Sequence, residues 1–391
     1  MSDPIRLVVV EMGYSESNPG LKSLVMATRA LAARGYEIEA WCTSIDEGLE
    51  DVVKFRRIAS PALPGPIGGM AFWFLALVVG AWRRMWKRDE GRVVYLTTGG
   101  KYWFADVSMF QFYNPSWLGI QKRIRYWGPE NRLRRWMALW GAFEDWGMLV
   151  VGRCRRIISA SRAIRDDLEQ DLRGDCWLGV LPNCVDRSRF ARGRSDEWRE
   201  AIRGELGYGE KETVLLFVSM GHFVRKGLWL AVETLSRLRE RGEKDFRLLV
   251  AGGYPRKLEQ NKRYLDRVYP RWEEWIHFTG MTDQVPQLMS ASDGLFFPSY
   301  FEAFSLVEIE AAAMGLPLIL TRHHGSEMIL REGRNGIYVS FEPDEIGERL
   351  LAFRERGLEV PAIDMGEALD VGEWAAELDG CLRAMVGERD G

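Results

Sequence analysis

Two glutamates eight positions apart, Glu302 and Glu310, bracket the start of an apolar run, Phe304-Ser-Leu-Val-Glu-Ile-Glu-Ala-Ala-Ala-Met314. The stretch before them, Gly294 to Pro298, is short and apolar and reads as a buried strand. Glu302 therefore falls on a loop, and a helix is expected from about Ser305 to Met314. A helix start presents free backbone N–H groups and the positive end of the helix dipole, an arrangement that suits a diphosphate. A carboxylate ahead of such a helix and another more than a turn inside it can hold hydroxyl groups on either side of a bound diphosphate. The competing reading, two solvated surface glutamates, sits poorly with a run this apolar.

A second constellation is Ser219-Met-Gly-His-Phe-Val-Arg-Lys-Gly227, a strand end, a glycine-bearing turn and an adjacent Arg225–Lys226 pair. A guanidinium fork and a mobile ammonium at the carboxyl end of a strand would neutralise phosphates and stabilise charge on a departing one. Alone, such a pair is more often a surface pair; its place after a strand favours the functional reading. Asp106, entering a strand in Phe104-Ala-Asp-Val-Ser-Met109, has two readings of equal weight: it orients or deprotonates an acceptor hydroxyl, or it caps a turn. The four histidines are His222, His277, His323 and His324; none has metal-ligand spacing, and no metal site is expected. His323 and His324 follow a strand and could face a bound sugar, whereas His277 reads as a core or strand-end residue. Neither GxGxxG after the first strand nor GxxxxGK[ST] occurs, which argues against a dinucleotide oxidoreductase and a P-loop enzyme.

The elements that must position these groups follow a βαβ rhythm. Ile5 to Val10 is a strand, Leu21 to Arg34 has helical spacing and stops at Gly35, and Glu37 to Cys42 is a second strand. Strands at Val93–Leu96, Val107–Phe112 and Arg156–Ala160 follow, with a long Trp-rich helical stretch expected from about Lys122 to Val150. A polar interval, Ala191 to Glu212, reads as a hinge with a linker helix. The rhythm then restarts with Thr213–Ser219, a helix from Lys226 to Arg241, Phe246–Ala251, Ile276–Gly280, Gly294–Pro298 and Pro317–Thr321. The fold class is thus α/β, with two Rossmann-like, doubly wound parallel-sheet domains facing a cleft. The expected domains are a first Rossmann-like domain at 1–190, a second at 191–365 that holds the Arg225–Lys226 and Glu302–Glu310 groups, and a C-terminal helical segment at 366–391 packing back on the first domain.

Of the 391 residues, 47% are apolar and 28% charged, enough for two cores. Five scattered cysteines without CxxC spacing suit a reducing cytoplasm, and the N-terminus has no signal-peptide pattern. The longest apolar run, Met70 to Trp82, is short of the roughly 20 residues of a membrane span. The net charge of −3 divides into +6 over residues 1–190 and −9 over 191–391, with +14 concentrated in 52–165. Tryptophans 73, 82, 86, 103, 117, 127, 136, 140 and 146 lie among basic residues there, including Arg83, Arg84, Lys87, Arg88, Lys122, Arg123, Arg125, Arg132, Arg134 and Arg135. An anionic membrane surface is one expected neighbour of such a stretch, giving a peripheral cytoplasmic location; the competing reading makes Met70 to Trp82 a core helix packed on the sheet with the tryptophans buried.

The run Glu302-x7-Glu310 with Ala311 to Pro317 resembles the donor-site motif of the family 4 retaining glycosyltransferases. Gly221 to Gly227, Ile276-His-Phe-Thr-Gly280, Ala291-Ser-Asp293 and Val180-Leu-Pro-Asn-Cys-Val-Asp186 with Phe190 are similar too, so the resemblance covers nearly the whole chain. Within that family, Pro19-Gly-Leu-Lys22, Ala32-Ala-Arg-Gly-Tyr36, Phe104-Ala-Asp-Val107 and Val224-Arg-Lys-Gly227 look most like the bacterial glucosyltransferases of the lipopolysaccharide inner core. The resemblance implies a GT-B fold and retaining transfer of a hexose-type sugar from a nucleotide-diphosphate donor. The acceptor it implies is a glycan or lipid-linked molecule of cell-envelope polysaccharide or lipopolysaccharide synthesis. It further implies that Arg225 and Lys226 bind the diphosphate beside Gly221, Glu310 the ribose and Glu302 the sugar. Main-chain amides of Phe304, Ser305, Leu306 and Val307 would assist, and Gly20 would admit the phosphates. The expected catalytic set is Asp106, Arg225, Lys226 and Glu302, with no cofactor, no metal and no nucleic-acid partner. The family often has a glycine pair where this chain has Pro19-Gly20, and a histidine at the end of the Gln111–Asn114 strand, where it has none. A nucleotide-sugar epimerase on the same architecture is the alternative; it would interconvert the donor without an acceptor. A non-catalytic sugar-binding protein fits the complete Arg-Lys and Glu-x7-Glu set less well.

Overall fold

The computed structural model of the chain describes residues 4–58, 66–86, 92–125, 133–190, 195–356 and 364–390, without the side chains of 66, 83–86, 133–135, 195 and 389–390. The chain divides into two compact units. The first comprises Met1–Gly119, Leu133–Cys184 and Leu369–Gly391, and the second Ile120–Arg132 and Val185–Ala368.

In the first unit the elements are β1 (Ile5–Val10), α1 (Lys22–Ala33), β2 (Tyr36–Cys42), β3 (Val53–Arg57), α2 (Pro66–Trp86), β4 (Val93–Thr98), β5 (Val107–Phe110), α3 (Asn114–Gln121), α4 (Leu133–Val150), β6 (Arg156–Ser159), α5 (Arg162–Asp171) and β7 (Trp177–Val180). The strands form one parallel sheet in the order β3-β2-β1-β4-β5-β6-β7. Leu7, Val8, Val9 and Val10 are all buried, because helices cover both faces of a parallel sheet and leave β1 no solvent side. Leu24, Ala27 and Leu31 of α1 pack on that core. So does the C-terminal helix Val371–Asp390, through Trp374, Leu378, Leu382 and Met385. The order runs outward from β1 in one direction and from β4 in the other, so the β1/β4 boundary is the switch point where ligands bind in open parallel sheets.

The second unit repeats the plan with α6 (Ser195–Leu206), β8 (Thr213–Val218), α7 (Leu228–Glu240), β9 (Phe246–Ala251), α8 (Pro255–Val268), β10 (Ile276–Gly280), α9 (Val285–Ala291), β11 (Gly294–Phe297), α10 (Leu306–Ala313), β12 (Leu318–Thr321), β13 (Gly336–Val339) and α11 (Pro343–Arg356). Its strand order, β10-β9-β8-β11-β12-β13, is again all parallel, with the switch point between β8 and β11. The linker helix α6 is fixed by Arg199 and Arg203, whose guanidinium groups meet Asp293 at 2.7 and 3.3 Å.

The α/β, doubly wound reading is borne out in both units, with local corrections. The apolar run from Met70 is the middle of a 21-residue helix, which opens at Pro66, a residue suited to a first helical position, and runs past Trp82 to Trp86. Of the stretch expected as one helix from Lys122, residues 122–125 are not helical and α4 starts at Leu133, while a separate helix, α3, ends at Gln121 before it. His277 lies on the edge strand β10 with its side chain exposed, not in the core. No helix among the described residues is long and apolar enough to cross a membrane.

Candidate functional site

At the carboxyl end of β8 the chain turns sharply. The Ser219 hydroxyl accepts from the backbone N–H groups of Gly221 and His222 at 3.2 and 3.0 Å, and Phe223 and Val224 bury beneath the turn. Gly227 closes it with φ of +81°, and a Cβ there would stand 1.9 Å from the Pro298 carbonyl oxygen. Only glycine lets this turn lie against the end of β11. The Tyr300 N–H donates to the Arg225 carbonyl at 2.9 Å and cross-links the two loops at the switch point.

This packing brings Arg225, Lys226 and Glu302 together. The Arg225 guanidinium donates to the Phe301 carbonyl at 2.8 Å and to Glu302 Oε1 at 2.9 Å. Lys226 Nζ lies 4.0 Å from the same oxygen and 4.7 Å from the centre of the Phe297 ring. All three side chains are largely buried, so neither the surface-pair nor the solvated-glutamate reading survives. Burial opposes the charge on Glu302, but Arg225, Lys226 and His323 together outweigh it and hold the carboxyl below its ordinary range. Burial also lowers the pKa of Lys226, and Glu302, Glu308 and Glu310 only partly offset that effect.

Beyond Glu302, helix α10 starts at an N-cap serine, Ser305, whose hydroxyl makes no capping bond. Phe304, Ser305 and Val307 are buried and Leu306 half-buried, and Glu310 is buried in the helix. The β12 loop closes on this start: the Gly325 N–H donates to the Glu302 carbonyl at 3.0 Å, and a Cβ on Gly325 would fall 2.4 Å from the Ala303 carbonyl oxygen. Uncapped first-turn amides beside two buried cations form an anion site. The two histidines read as facing a bound sugar are turned to other partners: the His323 ring is buried with Nε2 2.9 Å from Glu308 Oε1, and His324 stacks edge-on against Phe301.

Asp106 belongs elsewhere. It precedes β5, so it sits at the amino edge of the parallel sheet, where its carboxylate accepts the Tyr95 N–H at 2.9 Å. The carboxyl ends, where a reacting hydroxyl would be met, lie at the opposite edge, and the Asp106 carboxylate joins the start of β5 to β4 instead. Gly20 lies in the first unit on the β1–α1 loop, its N–H 3.2 Å from Asn18 Oδ1. At the carboxyl edge of that sheet stands a cluster the sequence reading missed. Glu11, fully buried at the end of β1, accepts from Thr98 Oγ1 and from Lys101 Nζ at 2.5 Å. Nearby, burial pushes the Glu144 carboxyl up to about 7 and that of Asp145 to about 6. Asp145 holds the N–H groups of Gly100 and Asn114. The available signal was Glu11 itself, a carboxylate directly after the most apolar strand. Among the described residues no group of three or more His, Cys, Asp or Glu could hold a metal ion.

Residues 212–355, within the second unit, match the family model of glycosyl transferases group 1. Lipopolysaccharide glucosyltransferase WaaG of Escherichia coli is 31% identical over 174 residues, 44% of this chain and 45% of that protein. Mannosylfructose-phosphate synthase of Agrobacterium fabrum is 28% identical over 179 residues, 44% of this chain and 38% of its own length. These matches span less than half the length of the curated relatives. Among solved structures, WaaG, a glycosyltransferase of lipopolysaccharide biosynthesis, superimposes with a TM-score of 0.71 at 18% identity over 98% of both chains. Anabaena HepE in complex with UDP does so with a TM-score of 0.69 at 15% identity, over 97% of this chain and all of that one. The architecture of two parallel-sheet α/β units is that of GT-B glycosyltransferases.

Proposed function

We propose that the protein is a retaining, family 4 glycosyltransferase that moves a hexose-type sugar from a nucleotide-diphosphate donor to a glycan or lipid-linked acceptor of the cell envelope. The observation that carries this reading is the buried Arg225–Lys226–Glu302 set at the β8/β11 switch point beside the uncapped start of α10. Arg225, Lys226 and the amides from Phe304 to Val307 hold the diphosphate, Glu310 the ribose and Glu302 the sugar hydroxyls. As the bond from the anomeric carbon to the phosphate oxygen breaks, the acceptor oxygen bonds to the same face of that carbon. The acceptor proton passes to the departing phosphate oxygen. The fixed cations and amides stabilise the charge, and no metal is needed. In the first unit, the Glu11–Lys101–Thr98 cluster takes the place first given to Asp106 and orients the acceptor hydroxyl.

The same reading includes docking on the cytoplasmic face of an anionic membrane. Ile67, Met70, Phe74, Val78 and Trp82 form an exposed stripe along α2, and Trp136, Leu139, Phe143, Trp146 and Val150 form another along α4. Trp73 joins the two helices by edge contacts with Trp140 and Phe143. Phe74 is 62% and Trp136 69% exposed, far more apolar surface than a solvated face needs. The sequence adds Arg83 and Arg84 at the end of α2 and Arg134 and Arg135 at the start of α4. Lys87, Arg88, Trp127 and Arg132 lie outside the described residues.

The test is transfer itself. Radiolabelled UDP-glucose, GDP-mannose and UDP-galactose are incubated with the protein and bacterial envelope extract, with and without EDTA. Label should enter the glycan or lipid fraction from one donor, unaffected by EDTA and with retained anomeric configuration. Donor interconversion without acceptor would instead support the epimerase.

A further inference from the structure

The first turn of α10 holds a contradiction. Ser305 and Glu308 stand at the N-cap and third positions, the spacing of a capping box, in which the serine and glutamate side chains cap the helix amides. Neither side chain does so here. The Ser305 hydroxyl is buried without a partner, and Glu308 turns into the protein with no exposed side-chain surface. Among the described residues only His323 comes within ion-pair distance of a Glu308 oxygen, neither oxygen accepts a hydrogen bond, and the His323 ring is equally sealed. A buried carboxylate beside an anion site repels the anion unless its charge is matched.

Around Lys226 the charges can be counted: Glu302, Glu308 and Glu310 against Arg225 and Lys226 itself. With His323 charged there are three cations and three anions; with His323 neutral the pocket carries one net negative charge before a diphosphate arrives. We infer that His323 is the third cation of the donor site, an imidazolium that draws Glu308 away from the helix start and cancels its charge, so that the α10 amides stay free for a diphosphate. The inference rests on the donor-site reading above. His323 acts through Glu308 and the Glu302 loop and is a positioning residue.

The surrounding groups agree on the charged form. Burial disfavours it, but Glu308 and then Glu302, through its carboxylate and its backbone carbonyl, outweigh burial and raise the His323 pKa. From the β8–α7 loop, Arg225 and Lys226 pair with Glu302, and Lys226 also feels the charges of Glu308 and Glu310. On the other side, Arg322 is stacked 3.9 Å over the Tyr338 ring, the Tyr338 hydroxyl faces Ser326 Oγ at 3.5 Å, and Glu327 adds a negative charge near Tyr338. His324 is held against Phe301. A rise in pH that removes the His323 proton therefore weakens diphosphate binding and leaves contacts to the nucleoside alone.

Calorimetry with inorganic pyrophosphate, UDP and uridine, from pH 6 to 9, tests this on wild type, His323→Gln, Glu308→Gln and the double variant. Each protein meets the same titration of the probe, so differences between proteins carry the result. His323→Gln should lose on the order of tenfold in affinity for pyrophosphate and UDP at pH 7, the factor equal to one pK unit of coupling. It should also lose the protein's part of the pH dependence. Glu308→Gln should move the midpoint of the wild-type profile to lower pH. The double variant, with both charges gone, should return to near wild-type affinity with a flat profile, and uridine binding should not change. A merely structural pair predicts the reverse, a double variant at least as impaired as either single one. Wild-type affinity and profile in His323→Gln, or no recovery in the double variant, would overturn the inference. If wild type binds neither pyrophosphate nor UDP, the donor-site reading itself falls and the inference with it.

Discussion

Arg225→Ala is the most informative single change, because the Arg225–Glu302 pair is both buried and central. Its side chains are 14% and 11% exposed and meet at 2.9 Å, and the same guanidinium holds the Phe301 carbonyl at 2.8 Å. Truncation strands a buried carboxylate, which typically costs 3–5 kcal/mol. Lys226 at 4.0 Å and the nearby His323 still favour the charge on Glu302, so about 3 kcal/mol, the lower end of that range, is expected here. For a unit of this size that corresponds to a melting temperature lower by roughly 6–12 °C. Turnover should fall about 10²–10³-fold, the usual effect of losing one preorganised donor to a developing anion. Thermal melting and single-turnover transfer assays on Arg225→Ala, Glu302→Ala and the double variant form a cycle. The two stability losses should be strongly non-additive, with the double variant more stable than the sum of the singles implies. Additive losses, or an Arg225→Ala protein with wild-type melting and turnover, would refute the buried-pair argument.

Glu310→Ala should weaken binding of the free nucleoside diphosphate, since the ribose is common to donor and product, whereas Glu302→Ala should spare that binding and lower turnover; equal losses by calorimetry would sink the assignment. The raised carboxyls of the first unit give a pH effect. The folded state keeps the Glu144 proton up to about 7, so this stabilisation is complete below the ordinary glutamate pKa of 4.5 and is lost as pH rises through 7. Glu144→Gln should flatten the fall in denaturant stability over that range, by about 3 kcal/mol at most. Wild-type protein should sediment with phosphatidylglycerol-containing vesicles at low salt, and Phe74→Ser with Trp136→Ser should reduce the bound fraction more than tenfold, given about 1.5–3 kcal/mol per buried aromatic side chain. Indifference of the wild type to those vesicles would rule out the docking face.

Much of this was legible because the chain's strands are unusually pure. Val8-Val9-Val10 and Leu215-Leu216-Phe217 could only be strands buried on both faces, and Gly227 marked the turn that aligns β8 with β11. Glu302 and Glu310 stood out for the same reason, carboxylates in a run that must be buried. The strand direction was also legible: a residue entering a parallel strand, as Asp106 does, lies at the amino edge. What could not be read was pairing between residues distant in sequence. The meeting of Glu308 with His323 and of Glu11 with Lys101 depends on how close the loops approach one another, which local pattern does not encode. The break between α3 and α4 had a signal in Gly128-Pro129, but the helical spacing on either side of it carried the expectation across. The grouping of 120–125 with the second unit depends on long-range contacts and had no signal.

The central claim is that the second unit binds a nucleotide-diphosphate sugar at the carboxyl ends of β8 and β11. Thermal unfolding with a panel of UDP-, GDP-, ADP- and TDP-sugars tests it directly. One donor at 100 times its dissociation constant should stabilise wild type by about 2.7 kcal/mol, and Glu310→Ala should abolish that gain at the same concentration. No stabilisation by any of the four, or an unchanged gain in Glu310→Ala, would contradict the account.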